Sequence, residues 1–268
     1  MNSQGNPVID APTLKGVIIA LNEEDHIRAC IESMRWIDEV VVLDAYSSDA
    51  TVELAKQAGA QVIQHRFENF AQQRNVALDA VEADWILFVD ADERTPPALG
   101  EEIRRVIAGR SETGWWIPRH NYIFGHRMRA TGWYPDYQLR LLKRQCAYYD
   151  PEKGVHEVVV LEGEAGRLET PFLHYNYETL RQFTEKQRRY LAYDVSILRE
   201  NGTPTRFYTP YTQAVRHFWW RFVSLSGWRD GFYGLSLSLL MSAYEWMKYN
   251  RLRKLNRKSQ AVGDSGVA

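Results

Sequence analysis

The 268-residue chain has only two cysteines, Cys30 and Cys146. They form no CxxC pair and no zinc-ligand spacing, so a disulfide framework and a cysteine-based zinc centre are excluded, and a reducing compartment fits. No GxGxxG or GxxxxGK[ST] loop occurs, which removes the phosphate cradles of dinucleotide oxidoreductases and P-loop ATPases. Neither charge is in excess: 33 Lys and Arg stand against 34 Asp and Glu, a net charge of −1. Overall charge therefore gives no reason to expect nucleic acid as a partner. The uncharged stretch Gly231–Tyr244 is shorter than the ~20 apolar residues that span a bilayer. The opening residues, MNSQGNPVIDAPTL, lack a basic region followed by an apolar one, and no secretory signal is read there. Internal repeats and low-complexity tracts are also missing.

What remains is an ordinary globular composition, 45% apolar and 25% charged, enough for one large domain with additions or two small ones. Aromatics are plentiful, with 15 Tyr and 9 Trp. Such rings suit sugar faces and membrane interfaces alike. From Val17 a strand–helix rhythm begins. Val17–Leu21, Val40–Leu43, Val62–Gln64 and Trp85–Val89 read as buried strands. Between them lie helical faces: Ile27, Cys30, Ile31 and Met34 at i, i+3, i+4 and i+7, then Thr51–Ala58 stopped by Gly59, then residues 71–81. Asn22 is expected to cap the first of these helices, and Ser47, Ser48 and Asp49 the second. Pro96 and Pro97 open another helix, with Leu99, Ile103, Val106 and Ile107 inward. This alternation predicts an α/β fold, a Rossmann-like and mostly parallel sheet sandwiched by helices. Such sheets bind ligands at the carboxyl ends of their strands. Trp115–Phe124 and Tyr137–Leu142 read as strands of a mixed region, and Thr179–Glu200 as a long charged helix.

The strand ends carry the chemistry. Asp90-Ala91-Asp92 follows the apolar run WILFV. Two carboxylates at i and i+2 on extended chain point to one side and call for a counter-charge, which Mg2+ or Mn2+ supplies. A bare DxD occurs by chance in roughly half of chains this long, so the weight lies in its position after a buried strand. Asp44 either hydrogen-bonds a ribose or base edge or caps the next helix. Arg74, Arg140, Lys143 and Arg144 are cations available to phosphates. Asp136, set among rings in Trp133-Tyr134-Pro135-Asp136-Tyr137, is either a general base or a turn aspartate. His156-Glu157 is a second acid/base or ligand pair, and His174 lies among aromatics.

In order along the chain, VIIALNEEDHIRACIES, EVVVLDAYSSDATVELAKQAGAQV, FAQQRNVALDAVEADWILFVDADE, GWYPDYQLRLLKR and VHE resemble the family 2 glycosyltransferases of A-type fold. Within them the bacterial lipopolysaccharide-core β-1,4-glucosyltransferase group is most similar. The resemblance covers about residues 14–200. It implies that Ala20, Asn22, Glu23 and Asp44 line a nucleotide pocket, with Arg74, Asp90 and Ala91 as further donor-binding residues. Asp92, Asp90 and His156 would hold Mg2+ or Mn2+. Asp136 would be the base for an inverting single displacement, with Glu157 in reserve. Where many members carry a Glu-Asp pair, this chain has Pro135-Asp136. Where many have Pro and Tyr before Asn-Glu, it has Ala20 and Leu21.

The resemblance thus implies transfer of a hexose, glucose by likeness, from a nucleotide sugar such as a UDP-hexose to a glycolipid or other glycan. Another acceptor (polyprenyl phosphate, peptide or polysaccharide), a silent nucleotide-sugar sensor and a nucleotidyltransferase are the alternatives. The expected organisation is a lead-in over 1–13, a catalytic domain over 14–204, a helical extension over 205–258 and a tail over 259–268. The extension mixes dense aromatics with Arg216, Arg221 and Arg229 and ends in a basic run. It suits peripheral contact with the inner face of the cell membrane from the cytoplasm, or packing as core or dimer interface.

Overall fold

The computed structural model describes residues 11–150 and 159–265, with side chains in the last helix as far as residue 257. The elements are β1 (Leu14–Ala20), α1 (Ile27–Ser33), β2 (Glu39–Asp44), α2 (Thr51–Gln57), β3 (Gln61–Gln64), α3 (Phe70–Ala80), β4 (Trp85–Asp90), β5 (Glu93–Arg94) and α4 (Pro97–Gly109). They continue with β6 (Gly114–Ile123), β7 (His126–Arg127), β8 (Tyr137–Lys143), β9 (Ala147–Tyr149), β10 (Val159–Leu161), β11 (Ala165–Arg167) and β12 (Phe172–Tyr177). The helices α5 (Leu180–Glu200), α6 (Thr209–Trp219) and α7 (Gly231–Ser265) follow. Two compact units result, Met1–Arg119 with Tyr137–His174, and His120–Asp136 with Tyr175–Ala268.

In the first unit the strands run in the order β3-β2-β1-β4-β8-β6, parallel through β4 and antiparallel at β8 and β6. Each parallel strand is apolar on both faces because helices cover both. Ile18, Val42, Leu87 and Val89 pack with Ile27 and Cys30 of α1 and Leu99 and Ile103 of α4. Val17, Val41, Leu43, Ile86 and Phe88 pack on the opposite side with Ala77 and Leu78 of α3. Adjacent residues thus serve opposite layers, as a two-residue period demands. The α/β class expected from the alternation is what the chain has. Helix α4 starts at Pro97, whose missing N–H costs nothing in a first turn.

Two capping expectations fail. The capping position of α2 is Ala50, after Ser47, Ser48 and Asp49, and it makes no side-chain cap bond. Asn22 does not cap α1: the capping position is His26, which makes no side-chain cap bond. Asn22 instead adopts a left-handed backbone, φ 56°, and its Oδ1 accepts from the Ser48 amide at 2.8 Å. An Asn tolerates that conformation because its amide finds a local partner.

The second unit has its own core, Ile123, Met128, Tyr177, Phe183 and Leu237. Helix α5 opens with a capping box, in which Thr179 and Gln182 satisfy each other's backbone amides. Between α6 and α7 lie a π-turn over Trp220–Ser224 and a 3-10 turn over Gly227–Asp230. Gly234 lets α7 lie against that second turn: a Cβ there would stand 1.9 Å from the Gly227 carbonyl oxygen. Among the described residues no helix is long and apolar enough to cross a membrane.

Candidate active site

Parallel register assembles the edge where the site lies. Ala20 pairs with Asp44, and Ile19 with Asp90, so β1, β2 and β4 end together. Strand order changes direction between β1 and β4, the position where open α/β sheets leave a crevice.

On the β1–β2 side the loops hold each other. The amides of Asn22 and Glu23 donate to the hydroxyls of Ser47 and Thr51 at 2.9 and 2.7 Å. The Glu24 carboxylate accepts from the Ala50 amide, and Asp49 from the amide of Thr51. Asp44 is fully buried, and its carboxylate accepts from the Ser47 amide at 3.1 Å and from Gln64 Nε2 at 3.1 Å. Such donors meet the requirement of a buried acceptor. The Ala20 carbonyl accepts from the Ala45 amide.

On the β4 side the Asp90-Ala91-Asp92 turn is tied by the residues after it. The Asp90 amide donates to Glu93 Oε2 at 2.9 Å, and Arg94 donates to the carbonyls of Ala91 and Glu93. Arg140 Nη2 donates to Asp90 Oδ2 at 2.5 Å, and Arg74 Nη2 lies 3.5 Å from Oδ1. Both guanidiniums come from buried side chains, and that of Arg74 sits over the rings of Phe88 and Tyr149. Burial works against ionisation of Asp90, but Arg140, Arg74 and Arg119 outweigh it and hold the carboxyl well below the usual range. Glu93 goes the other way. It is fully buried, and burial with the neighbouring Asp90 charge raises its carboxyl, although Arg119 Nη1 lies 3.2 Å from it.

Oδ2 of Asp92 lies 3.3 Å from Nε2 of the buried His174. The approach is built by backbone: β5 pairs antiparallel with β12, setting His174 opposite Glu93 and Leu173 opposite Arg94. A two-residue strand directly after the aspartates thus fetches an imidazole from 82 residues away. Among the described residues no group of three or more His, Cys, Asp or Glu is gathered as a metal site.

In the second unit Asp136 is half-buried, and its Oδ2 accepts from Asn121 Nδ2 at 3.1 Å. The fully buried Asn121 also donates to the Trp133 carbonyl at 2.7 Å, which fixes its amide. His156 and Glu157 lie outside the described residues.

The family model of glycosyl transferase family 2 matches residues 17–158, more than half of the chain. The protein belongs to glycosyltransferase family 2. Over 251 residues it is 30% identical to the lipopolysaccharide core biosynthesis glycosyltransferase LpsC of Rhizobium meliloti (strain 1021), covering 88% of this chain and 93% of that protein. It is 26% identical over 260 residues to an uncharacterized glycosyltransferase of Rickettsia typhi (strain ATCC VR-144 / Wilmington), covering 91% and 88% of the two chains. A similar solved structure is glucosyl-3-phosphoglycerate synthase from Mycobacterium tuberculosis in complex with Mn2+, UDP and glucosyl-3-phosphoglycerate. Its TM-score is 0.44 at 17% identity, over 72% of this chain and 81% of that one.

For this glycosyltransferase the edge of the parallel sheet thus brings Ala20, Asp44, Arg74, Asp90, Ala91 and Asp92 into one unit. Sequence reading did not find Glu93, Arg119 or Asn121. Arg119 and Asn121 bond residues at least 12 positions away, and Glu93 sits on a two-residue strand with no period to read.

Proposed function

We propose that this glycosyltransferase moves a hexose, glucose by likeness, from a UDP-sugar to a membrane-linked glycan of the lipopolysaccharide-core kind, inverting the anomeric centre with the help of Mg2+ or Mn2+. The acceptor class is supported by the likeness to LpsC. The observation that carries the metal part is the Asp92–His174 pair at the carboxyl edge of the parallel sheet. The hard carboxylate suits Mg2+ and Mn2+ alike, and the imidazole beside it is a donor that favours Mn2+, the transition ion of the two. Two protein donors leave the remaining positions to phosphate oxygens and water, the usual partition for Mg2+. When bound, the cation neutralises charge on the departing diphosphate.

The protein's own groups do the rest. Asp92 and His174 hold the cation. Asp90, already engaged by Arg140 and Arg74, sets the turn that carries Asp92. Ala20, Asn22, Glu23 and Asp44 form the nucleoside side of the pocket, and Arg74 lies on the phosphate side. The acceptor hydroxyl oxygen bonds to the anomeric carbon while that carbon's bond to the diphosphate oxygen breaks. The hydroxyl proton goes to Asp136, and the nucleoside diphosphate leaves. Asn121 orients the base. Glu157 is the alternative base. Positioning and charge stabilisation supply the rate, and no covalent intermediate is needed.

Catalysis belongs to 14–204 and membrane contact to 205–258, from the cytoplasmic side. Tyr211, Val215 and Trp219 form one exposed stripe on α6, and Phe232, Leu235 and Leu239 another on α7. Exposed rings beside Arg216 and Arg251 suit an anionic lipid surface.

Release of nucleoside diphosphate from a panel of nucleotide sugars, with Mn2+, Mg2+ or chelator, tests the chemistry. Turnover of one UDP-sugar, lost on chelation, is expected. Turnover that survives chelation and an Asp92→Ala change would overturn the metal assignment.

A further inference from the structure

A cleft lined by arginines lies wholly in the second unit, with a volume of about 490 Å3, a size that takes a saccharide ring or two. Arg127, Arg129 and Arg229 line it, together with Tyr134, Pro135 and residues 224–226. No acidic residue is among the lining residues. All three arginine side chains are exposed, and none makes an ion pair among the described residues. The positive charge is therefore uncompensated within the cleft.

The carboxylate next to Arg229 in the chain is used elsewhere. Asp230 follows Arg229 in sequence but is buried and turned inward. Its oxygens accept from the amides of Arg129 and Ala130 at 2.8 and 3.0 Å and from the Thr131 hydroxyl at 3.0 Å. Arg221 donates to the Thr131 carbonyl at 2.7 Å and ties the same loop. The loop is thus held by one acid whose charge is used inside, while its arginines remain outside. Guanidiniums fit phosphate and carboxylate groups through paired N–H donors, and three lining one cleft match an anion of more than one oxygen. Burial and the Arg127 charge together hold the neighbouring His120 below the usual imidazole value, in line with a positive field. Tyr134 and Pro135, which line the cleft, directly precede the proposed base Asp136 in the chain.

We propose that this cleft binds an anionic substituent of the acceptor, a phosphoryl or carboxylate group carried on a sugar, so that the enzyme selects charged glycans. The assignment to the acceptor rests on the function proposed above.

Direct binding tests it without turnover. Glucose 6-phosphate, glucuronate, glucose and inorganic phosphate are titrated onto the full chain by ligand-observed NMR, and repeated with Arg129→Gln/Arg229→Gln. The two charged sugars are expected to bind and glucose is not. The double variant should weaken them by roughly tenfold or more, and rising salt should weaken them too. Equal binding of glucose, or unchanged binding by the double variant, would overturn the proposal. Inorganic phosphate binding as tightly as glucose 6-phosphate would assign the cleft to a free anion and overturn the acceptor assignment. If the double variant lost only its binding to phosphatidylglycerol vesicles, the arginines would belong to a lipid surface, which also overturns it. A thermal melt of the variant reports folding, and Arg229→Glu alone gives a second, charge-reversing test. Donor hydrolysis by the unaltered enzyme is measured in parallel. Its absence with sugar-phosphate binding intact would count against the proposed reaction and leave the anion site standing.

Discussion

At Asp90 one carboxylate meets two guanidiniums, and at Asp92, two residues on, another meets an imidazole. The difference makes their expected phenotypes separable. Asp92→Ala should abolish sugar transfer with little change in melting temperature, checked by product assay beside a thermal melt, because about a quarter of its side chain stays exposed to water. Arg140→Met should cost roughly 1–3 kcal/mol, less than breaking a fully buried pair because Asp90 keeps some contact with water. The pH dependence has a definite sign. A carboxyl depressed in the folded state stabilises above its unfolded value, about pH 4, and that stabilisation is lost as pH falls through the lower native value. Urea midpoints in chelator should therefore show a gap between variant and parent at neutral pH that narrows in acid. The aspartates were legible in sequence because an apolar strand leads into them. Asp92's neighbour was not, since His174 is one histidine among seven and only strand pairing selects it.

Among elements, the four parallel strands and their helices announce themselves through apolar runs, and α5 through the capping residue Thr179. Elements without a period stay hidden. The two residues of β5 offer no alternation to read, yet their pairing carries His174 to the site. Asn22 carries a capping residue's chemistry, but its side chain goes to Ser48 because the loop turns through positive φ before the helix begins. The close contact of α7 with the Gly227–Asp230 turn is also silent in sequence. Gly234→Ala must push helix and turn apart, and about 1–3 kcal/mol of destabilisation is expected from overpacking. A denaturant titration measures it. Asp230→Ala leaves two amides and a hydroxyl without their acceptor and should cost about as much, while loosening the loop that carries Arg129.

For the molecule as a whole, composition set the class and the motif order set the family, whereas the partners depend on surfaces that composition only hints at. The exposed rings of α6 and α7 are the feature to perturb. Trp219→Ser with Phe232→Ser should weaken cosedimentation with anionic vesicles by roughly tenfold, given the apolar area removed. Binding by the parent that is indifferent to lipid charge and salt would count against the basic component. The short pairing of β5 with β12 also bears on how such enzymes can be recombined. The stretch shared with the family at large, 17–158, stops before β12. A hybrid spliced at that boundary would take its aspartates from one parent and the imidazole beside them from the other, so the two halves of the proposed cation pair would have separate ancestries. The natural cassette for exchange runs through His174, and hybrids cut there should keep activity that hybrids cut at 158 lose.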